Sequence, residues 1–180
     1  MSTQIPRGIR NNNPLNIRRS KADWQGLVAP STDKELTSGR LGSGSADSKQ
    51  ASVCTHYDAE FCQFESMMYG FRAAFKLLFS YYNKYGLHDV MSIIKRWAPS
   101  SDGNDCNVYA KFVINYMLGS QAYEADTRFT LPAPERGPYT WKKLVKAMAE
   151  MESTKAIRKY FDGNINEAYD DAIKSLKPQT

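Results

Sequence analysis

The hydrophobic positions along this chain change rhythm near residue 67. Before it, residues 1–60 carry no helical period, because Pro6, Gly8, Pro14 and the Asn11-Asn12-Asn13 run interrupt any apolar stripe. That stretch predicts a small N-terminal β-hairpin, with residues 15–19 and 23–28 as arms and the turn about 20–22. Residues 38–52 are rich in Gly and Ser with almost nothing to bury, which predicts a mobile surface loop. Residues 59–64, Ala-Glu-Phe-Cys-Gln-Phe, predict a short extended piece.

From Met67 the period becomes 3.6. Phe71, Phe75, Leu78 and Tyr82 make one helical stripe that Gly86 ends. Val90, Ile93, Ile94 and Trp97 make a second, with Asp89 at its start and Pro99 beyond its end. Tyr109, Phe112, Val113 and Tyr116 make a third, capped by Asn104 or Asp105 and stopped at Gly119. Residues 130–139, with three prolines and a glycine, predict a connecting loop. Thr140 is placed to cap a fourth helix whose apolar positions are Trp141, Leu144, Val145, Met148 and Met151. After Gly163, Asn164 with Glu167 resembles a capping box opening a last helix through Tyr169, Ile173 and Leu176. The fold class is therefore mainly α, and 180 residues suit a single domain over 1–180.

Composition narrows the class. Hydrophobic residues are 42% and charged residues 24% of the chain, which excludes disorder, and no apolar run approaches the roughly 18–20 residues of a membrane span. The first residues lack an apolar core, so no ordinary secretory signal peptide is expected. The net charge of +5 is concentrated early: residues 1–49 hold eight Lys/Arg and four Asp/Glu. A cationic start favours an anionic partner, whether cell-wall polymer, headgroup or nucleic acid. Nucleic acid ranks last, because no recognition helix or aromatic–basic interleaving accompanies the arginines.

Candidate chemistry is sparse. Cys54, His56, Cys62 and Cys106 match no usual zinc spacing, so idle thiols and no metal are expected. Two histidines and no local signature leave a Cys/His nucleophile unsupported, and no glycine-rich phosphate loop follows a strand. No cofactor is implied. Among the carboxylates Glu152 stands out. With Leu144 set at zero and about 100° per residue, Met148 lies near 40°, Trp141 near 60° and Glu152 near 80°, inside the apolar stripe. A carboxyl held there suits a general acid; the ordinary alternative is a solvated helix end. Glu150, near 240°, falls outside the stripe as a surface residue should. Glu65, in its own Glu-Ser context after Phe64, is the rival acid or else an exposed edge residue. The asparagines at 11–13 and 16 suit turns, and the same amides hydrogen-bond sugar hydroxyls and acetamido groups.

Several motifs share a likeness. Arg-Gly-Ile-Arg-Asn-Asn-Asn-Pro-Leu-Asn-Ile-Arg (7–18), Trp24-Gln25-Gly26, Phe61-x-x-Phe64-x-Ser66-x-x-x-Gly70-x-Arg72-Ala73, Ile93-Ile94-x-x-Trp97-Ala98-Pro99 and Tyr109-x-x-x-Val113 resemble a phage and prophage family of virion structural proteins. That family is similar to the lysozyme-like glucosaminidases and lytic transglycosylases. There, a helix bearing the catalytic glutamate precedes an asparagine-containing hairpin, an aromatic strand and further helices. Residues 13–18 resemble the hairpin and 61–66 the aromatic strand, but nothing before Asn13 reads as a helix or supplies a carboxylate. The helix ending Glu152-Ser153 resembles the Glu-Ser helix of lytic transglycosylases, which implies a circularly permuted lysozyme-like domain with its last helices in place of the first.

The resemblance implies a peptidoglycan-cleaving glycosidase or lytic transglycosylase acting on β-1,4 bonds of glycan strands, with Glu152 as general acid. Without an evident second carboxylate, a single-acid or substrate-assisted route is expected. Asn13, Asn16, Trp24, Trp97 and Tyr109 would line the glycan groove, although Trp97 suits the core at least as well. Arg72 reads as a structural ion-pair partner. The contrasting expectation is a non-catalytic virion structural or cell-wall-binding protein, with other virion proteins as partners.

Overall fold

The computed structural model describes residues 5–28, 57–119 and 129–176. The Gly/Ser-rich stretch 38–52, Cys54 and His56 lie outside the described residues. The rest is mainly α: α1 (Arg7–Arg10), α2 (Met67–Tyr85), α3 (Val90–Trp97), α4 (Cys106–Leu118), α5 (Pro138–Ser153) and α6 (Asn164–Lys174), with 3-10 turns at Ser100–Asp102, Pro134–Arg136 and Lys155–Tyr160. None of these helices is long and apolar enough to cross a membrane.

The long helices follow their stripes, except that Met151, expected on the apolar stripe of α5, is exposed at the helix end. Along α2, Phe71, Phe75, Leu78 and Phe79 are wholly buried, and Gly86 closes the helix in the left-handed conformation. The helix packs along α6, where Tyr169 meets Phe75 and Phe79 edge-to-face at 5.3 and 5.7 Å. Trp141 of α5 meets Phe79 at 5.3 Å, and its indole N–H donates to Pro132 O at 3.0 Å. Asp89 caps α3 by accepting from Ser92 N, and Asp105 caps α4 by accepting from Asn107 N and Val108 N. Arg72 pairs with Asp171, tying α2 to α6 as a structural ion pair.

Four local expectations need correction. A helical turn does form before Asn13: Pro6 sets its entry and Arg7–Arg10 makes one turn, although that turn brings no carboxylate. The hairpin does not form. The antiparallel bridges run from Arg18 to Phe61 and from Leu27 to Phe64, so both intended arms pair with the extended piece instead of each other. Phe61 and Phe64 are buried, and that sequence supplies the apolar edge that each arm needs. Helix α5 starts at Pro138, whose missing N–H suits the first turn, and not at a Thr140 cap. Asn164 is inside α6 and donates to Tyr160 O, with Gly163 at the cap, so there is no capping box.

The N-terminal motif is fastened by its amides. Asn12 Nδ2 donates to Phe64 O at 3.0 Å, and Asn13 Nδ2 to both Ile17 O and Cys62 O at 2.9 Å. Asn12 and Asn16 both sit at positive φ, 49° and 51°, a region asparagine tolerates better than most residues. Gly70 lets this loop lie on α2, since a Cβ there would stand 2.0 Å from Asn12 O. Gly8 does the same against α5, where a Cβ would stand 1.8 Å from Ser153 Oγ.

Candidate active-site cleft

Those close approaches bring the end of α5 beside the asparagine loop. Ser153 is buried and its hydroxyl donates to Pro14 O at 3.0 Å, which fixes the last turn of the helix. Thr154, at φ 65°, then ends it. The residue before Ser153 is thereby turned toward Asn16. Glu152 Oε2 accepts from Asn16 Nδ2 at 3.2 Å, and the same amide reaches Glu152 O at 3.2 Å. On its other side, Glu152 Oε1 accepts from the Tyr109 hydroxyl at 3.0 Å.

The carboxylate borders a cleft of about 650 Å³. Asn16, Arg18 and Trp24 line it from the N-terminal segment, Phe61 from the extended piece, and Tyr81 and Trp97 from α2 and α3. Asp102 and Asn104 join them from the turn after α3. Burial, and then the neighbouring Glu152 carboxylate, push the Tyr109 phenol well above its ordinary value, so it remains a hydroxyl. Such a group donates to an ionised carboxylate and can rotate to accept from a protonated one. The arrangement fixes both oxygens of one carboxyl beside an aromatic-walled groove.

The residues singled out in the sequence come to different places in the fold. Glu152, Asn16, Trp24 and Trp97 meet at the cleft. Tyr109 is 4% exposed and stands behind Glu152, so it positions the carboxylate instead of lining the groove. Asn13 is wholly buried, with its Nδ2 donating to two carbonyls and its Oδ1 accepting from Ile17 N at 2.8 Å; it builds the loop and cannot line a groove. Glu65 is exposed beside the start of α2 and does not line the cleft. Glu150 corrects the helical-wheel reading: it is 5% exposed and accepts from Arg158 Nε and Nη2 at 2.6 and 2.9 Å. The turn Lys155–Tyr160 packs back on α5, giving the helix a second buried face.

Sequence reasoning missed Asp102, Arg18, Phe61 and Tyr81 as cleft residues. Asp102 stands in a polar turn with no apolar stripe to place it, so only the fold brings it to the groove that Glu152 borders. Arg18 and Phe61 lay inside the motifs already noted, where their pairing was the missing information. Cys62 is buried, which pushes its thiol up, and no group of three or more His, Cys, Asp or Glu among the described residues is placed to hold a metal.

A mainly helical chain with a carboxylate beside an aromatic-walled cleft is the class that fold and site define. No protein-family model matches the sequence. The chain is 35% identical over 155 residues to Protein P5 of Pseudoalteromonas phage PM2, covering 79% of this chain and 80% of that protein. It belongs to the family of that phage protein, and the phage kinship implied by the N-terminal motif is thereby shown.

Proposed function

We propose that this chain cleaves the glycan strands of peptidoglycan at a β-1,4 bond, with Glu152 as the proton donor. The observation that carries the reading is the placement of Glu152: a carboxyl at the edge of a groove, held through both oxygens, beside the asparagine loop that the lysozyme-like resemblance associates with glycan. In the reaction Glu152 gives its proton to the glycosidic oxygen as the bond to the anomeric carbon breaks. The electron-poor anomeric carbon is then captured by water, giving hydrolysis, or by a hydroxyl of the same sugar, giving an anhydro end. The attacking hydroxyl returns a proton to Glu152. Trp24, Trp97 and Tyr81 offer apolar faces for sugar rings. The groove also fits a circularly permuted lysozyme-like arrangement, in which α5 stands in for the glutamate-bearing helix.

A second reading rests on the phage relative. The chain would serve as a virion protein that grips the cell wall without cutting it, the groove acting as a glycan receptor. One experiment separates the two. Purified sacculi are incubated with the protein and with Glu152→Gln, and soluble fragments are read by mass spectrometry. Release of fragments by the parent chain alone supports the enzyme, and their ends identify the route. Binding without release supports the receptor. Release by both chains removes Glu152 as the acid.

A further inference from the structure

We infer that the outward face of α4 docks this chain on an anionic phospholipid surface, with Val108, Leu118 and Tyr139 entering the headgroup layer and Lys111 and Lys143 meeting lipid phosphates. The inference concerns where the chain rests and does not depend on what the cleft cuts.

Helix α4 lies at the surface with the composition of a buried helix. Lys111 is the only charged side chain in its 13 residues. Its inner face, including Tyr109, Val113, Ile114 and Met117, is buried, and the helix packs on α3 and α5. A helix so placed ordinarily turns charged and polar residues to water. Here the exposed stripe is Val108, Lys111, Asn115 and Leu118, spaced i, i+3, i+7 and i+10, with Val108 57% and Leu118 48% exposed. Phe112 and Tyr116 flank it half-buried, their rings 6.5 Å apart. Tyr139 extends the stripe at its C-terminal end. Lys143 Nζ donates to Met117 O at 2.9 Å and lies 4.6 Å from the ring centroid of Tyr139, which is 70% exposed. The apolar face thus ends in an amphipathic ring beside an ammonium, as an interfacial anchor does.

Charge selects the surface. Residues 106–118 and 138–160 carry seven Lys/Arg and two Asp/Glu. Of the two acids, Glu150 is bound by Arg158 and Glu152 borders the cleft. Asp105, at the cap, accepts from the first N–H groups of α4. Residues 161–176 reverse the balance, with Asp162, Glu167, Asp170 and Asp171 against Lys174. These acids lie on and beside α6, which packs on α2 and α5. An anionic surface attracts the first region and repels the second, which orients the molecule with α4 toward it. The two cavities described take only Cys106 and Asn107 from α4. The stripe therefore offers a protein side chain no pocket to fill, whereas fluid headgroups conform to a bare helix face. No residue of α4 lines the cleft at Glu152, so docking here does not occupy the groove.

The test is flotation of the full chain at low salt with two kinds of vesicle, phosphatidylcholine alone and phosphatidylcholine mixed equally with phosphatidylglycerol. The chain should float with the mixed vesicles and stay behind with the neutral ones. Val108→Ser combined with Leu118→Ser should weaken that binding about tenfold, and Lys111→Glu by a similar factor. All three positions are exposed, so the melting temperature of each variant should match the parent's, which separates lost docking from lost folding. Lys174→Glu changes the net charge equally on the α6 side and should leave binding within about twofold of the parent. Equal flotation by the parent and the serine variant would overturn the proposal. So would a loss in Lys174→Glu as large as in Lys111→Glu, since net charge alone would then account for binding. No flotation with the mixed vesicles would also overturn it and leave the face to a protein contact.

Discussion

Asn13 and Asn16 lie three residues apart in one motif, yet their surroundings give them different tasks. Asn13 is sealed among backbone carbonyls, while Asn16 reaches the Glu152 carboxylate. The same contrast separates Glu150 from Glu152, and Tyr109 is read through its single partner. Removing that hydroxyl in Tyr109→Phe leaves Glu152 Oε1 short of a donor, and should cost about 1 kcal/mol of stability by urea titration together with most of any lytic activity. Asp58 is the clearest pH-dependent group. Burial alone would raise its carboxyl, but the Asn11 amide, the N–H groups of Phe61 and Glu60, and Arg7 outweigh it and hold the group below its ordinary value. A depressed carboxyl contributes stability above its unfolded value, about 3.9, and loses it as pH falls through the folded one. Asp58→Asn should therefore lower the unfolding free energy from urea titration at pH 7 by about 1–3 kcal/mol, and the gap to the parent should close in strong acid. A gap independent of pH would remove Asp58 from the account.

At the scale of elements, the site depends on how closely three segments approach. Gly70 in α2 faces Asn12 O and Pro14 Cδ, where an added Cβ would stand at 2.0 and 2.7 Å. Alanine in a helix interior gains about 1 kcal/mol over glycine, whereas overpacking against a fixed loop costs about 1–3 kcal/mol. The backbone carbonyl cannot yield as a side chain would, so overpacking wins. Gly70→Ala should lower the melting temperature and loosen the loop carrying Asn16, visible as faster amide exchange over 11–17. On the outer side of α5, the Arg158 fork holds Glu150. Arg158→Met strands a buried carboxylate and should destabilise the protein at pH 7, while the double variant with Glu150→Met should recover part of the loss. No recovery would mean that the pair contributes only shape.

The whole molecule is a cation of net charge +5, and Arg7 and Arg18 both stack over Phe61. Arg7 and Arg10 face the Asp58 carboxylate, Arg19 donates to the Asp58 carbonyl, and Arg18 lies over the Phe61 ring at the groove. Exposed charges attract over roughly 8–10 Å at physiological salt, so sacculus binding should weaken as salt rises. Charge reversal of Arg18 and Arg19 to Glu should weaken it strongly at low salt and little at high salt. Equal binding at low salt would take electrostatics out of the interaction.

Periodicity determined the helices. An apolar stripe such as Phe71, Phe75, Leu78 is a local signal, and burying it demands one geometry whatever it packs against. The inward position of Glu152 was legible for the same reason, because a helix fixes angles between neighbours. The phage kinship was likewise expected from sequence without any coordinates, and the similarity to the PM2 protein shows it. Pairing between distant segments was not legible: residues 15–19 and 23–28 looked like two arms of one hairpin, and the tertiary structure gave both to 61–64. Strand partners are chosen by which edge is free and apolar, a property of the folded neighbourhood and not of either strand. Glu150 was misread because a second buried face on α5 comes from a turn later in the chain. Asp102 and Arg18 reached the cleft in the same way. What surrounds a side chain is a sum over segments far apart in sequence, and only the packed molecule performs it.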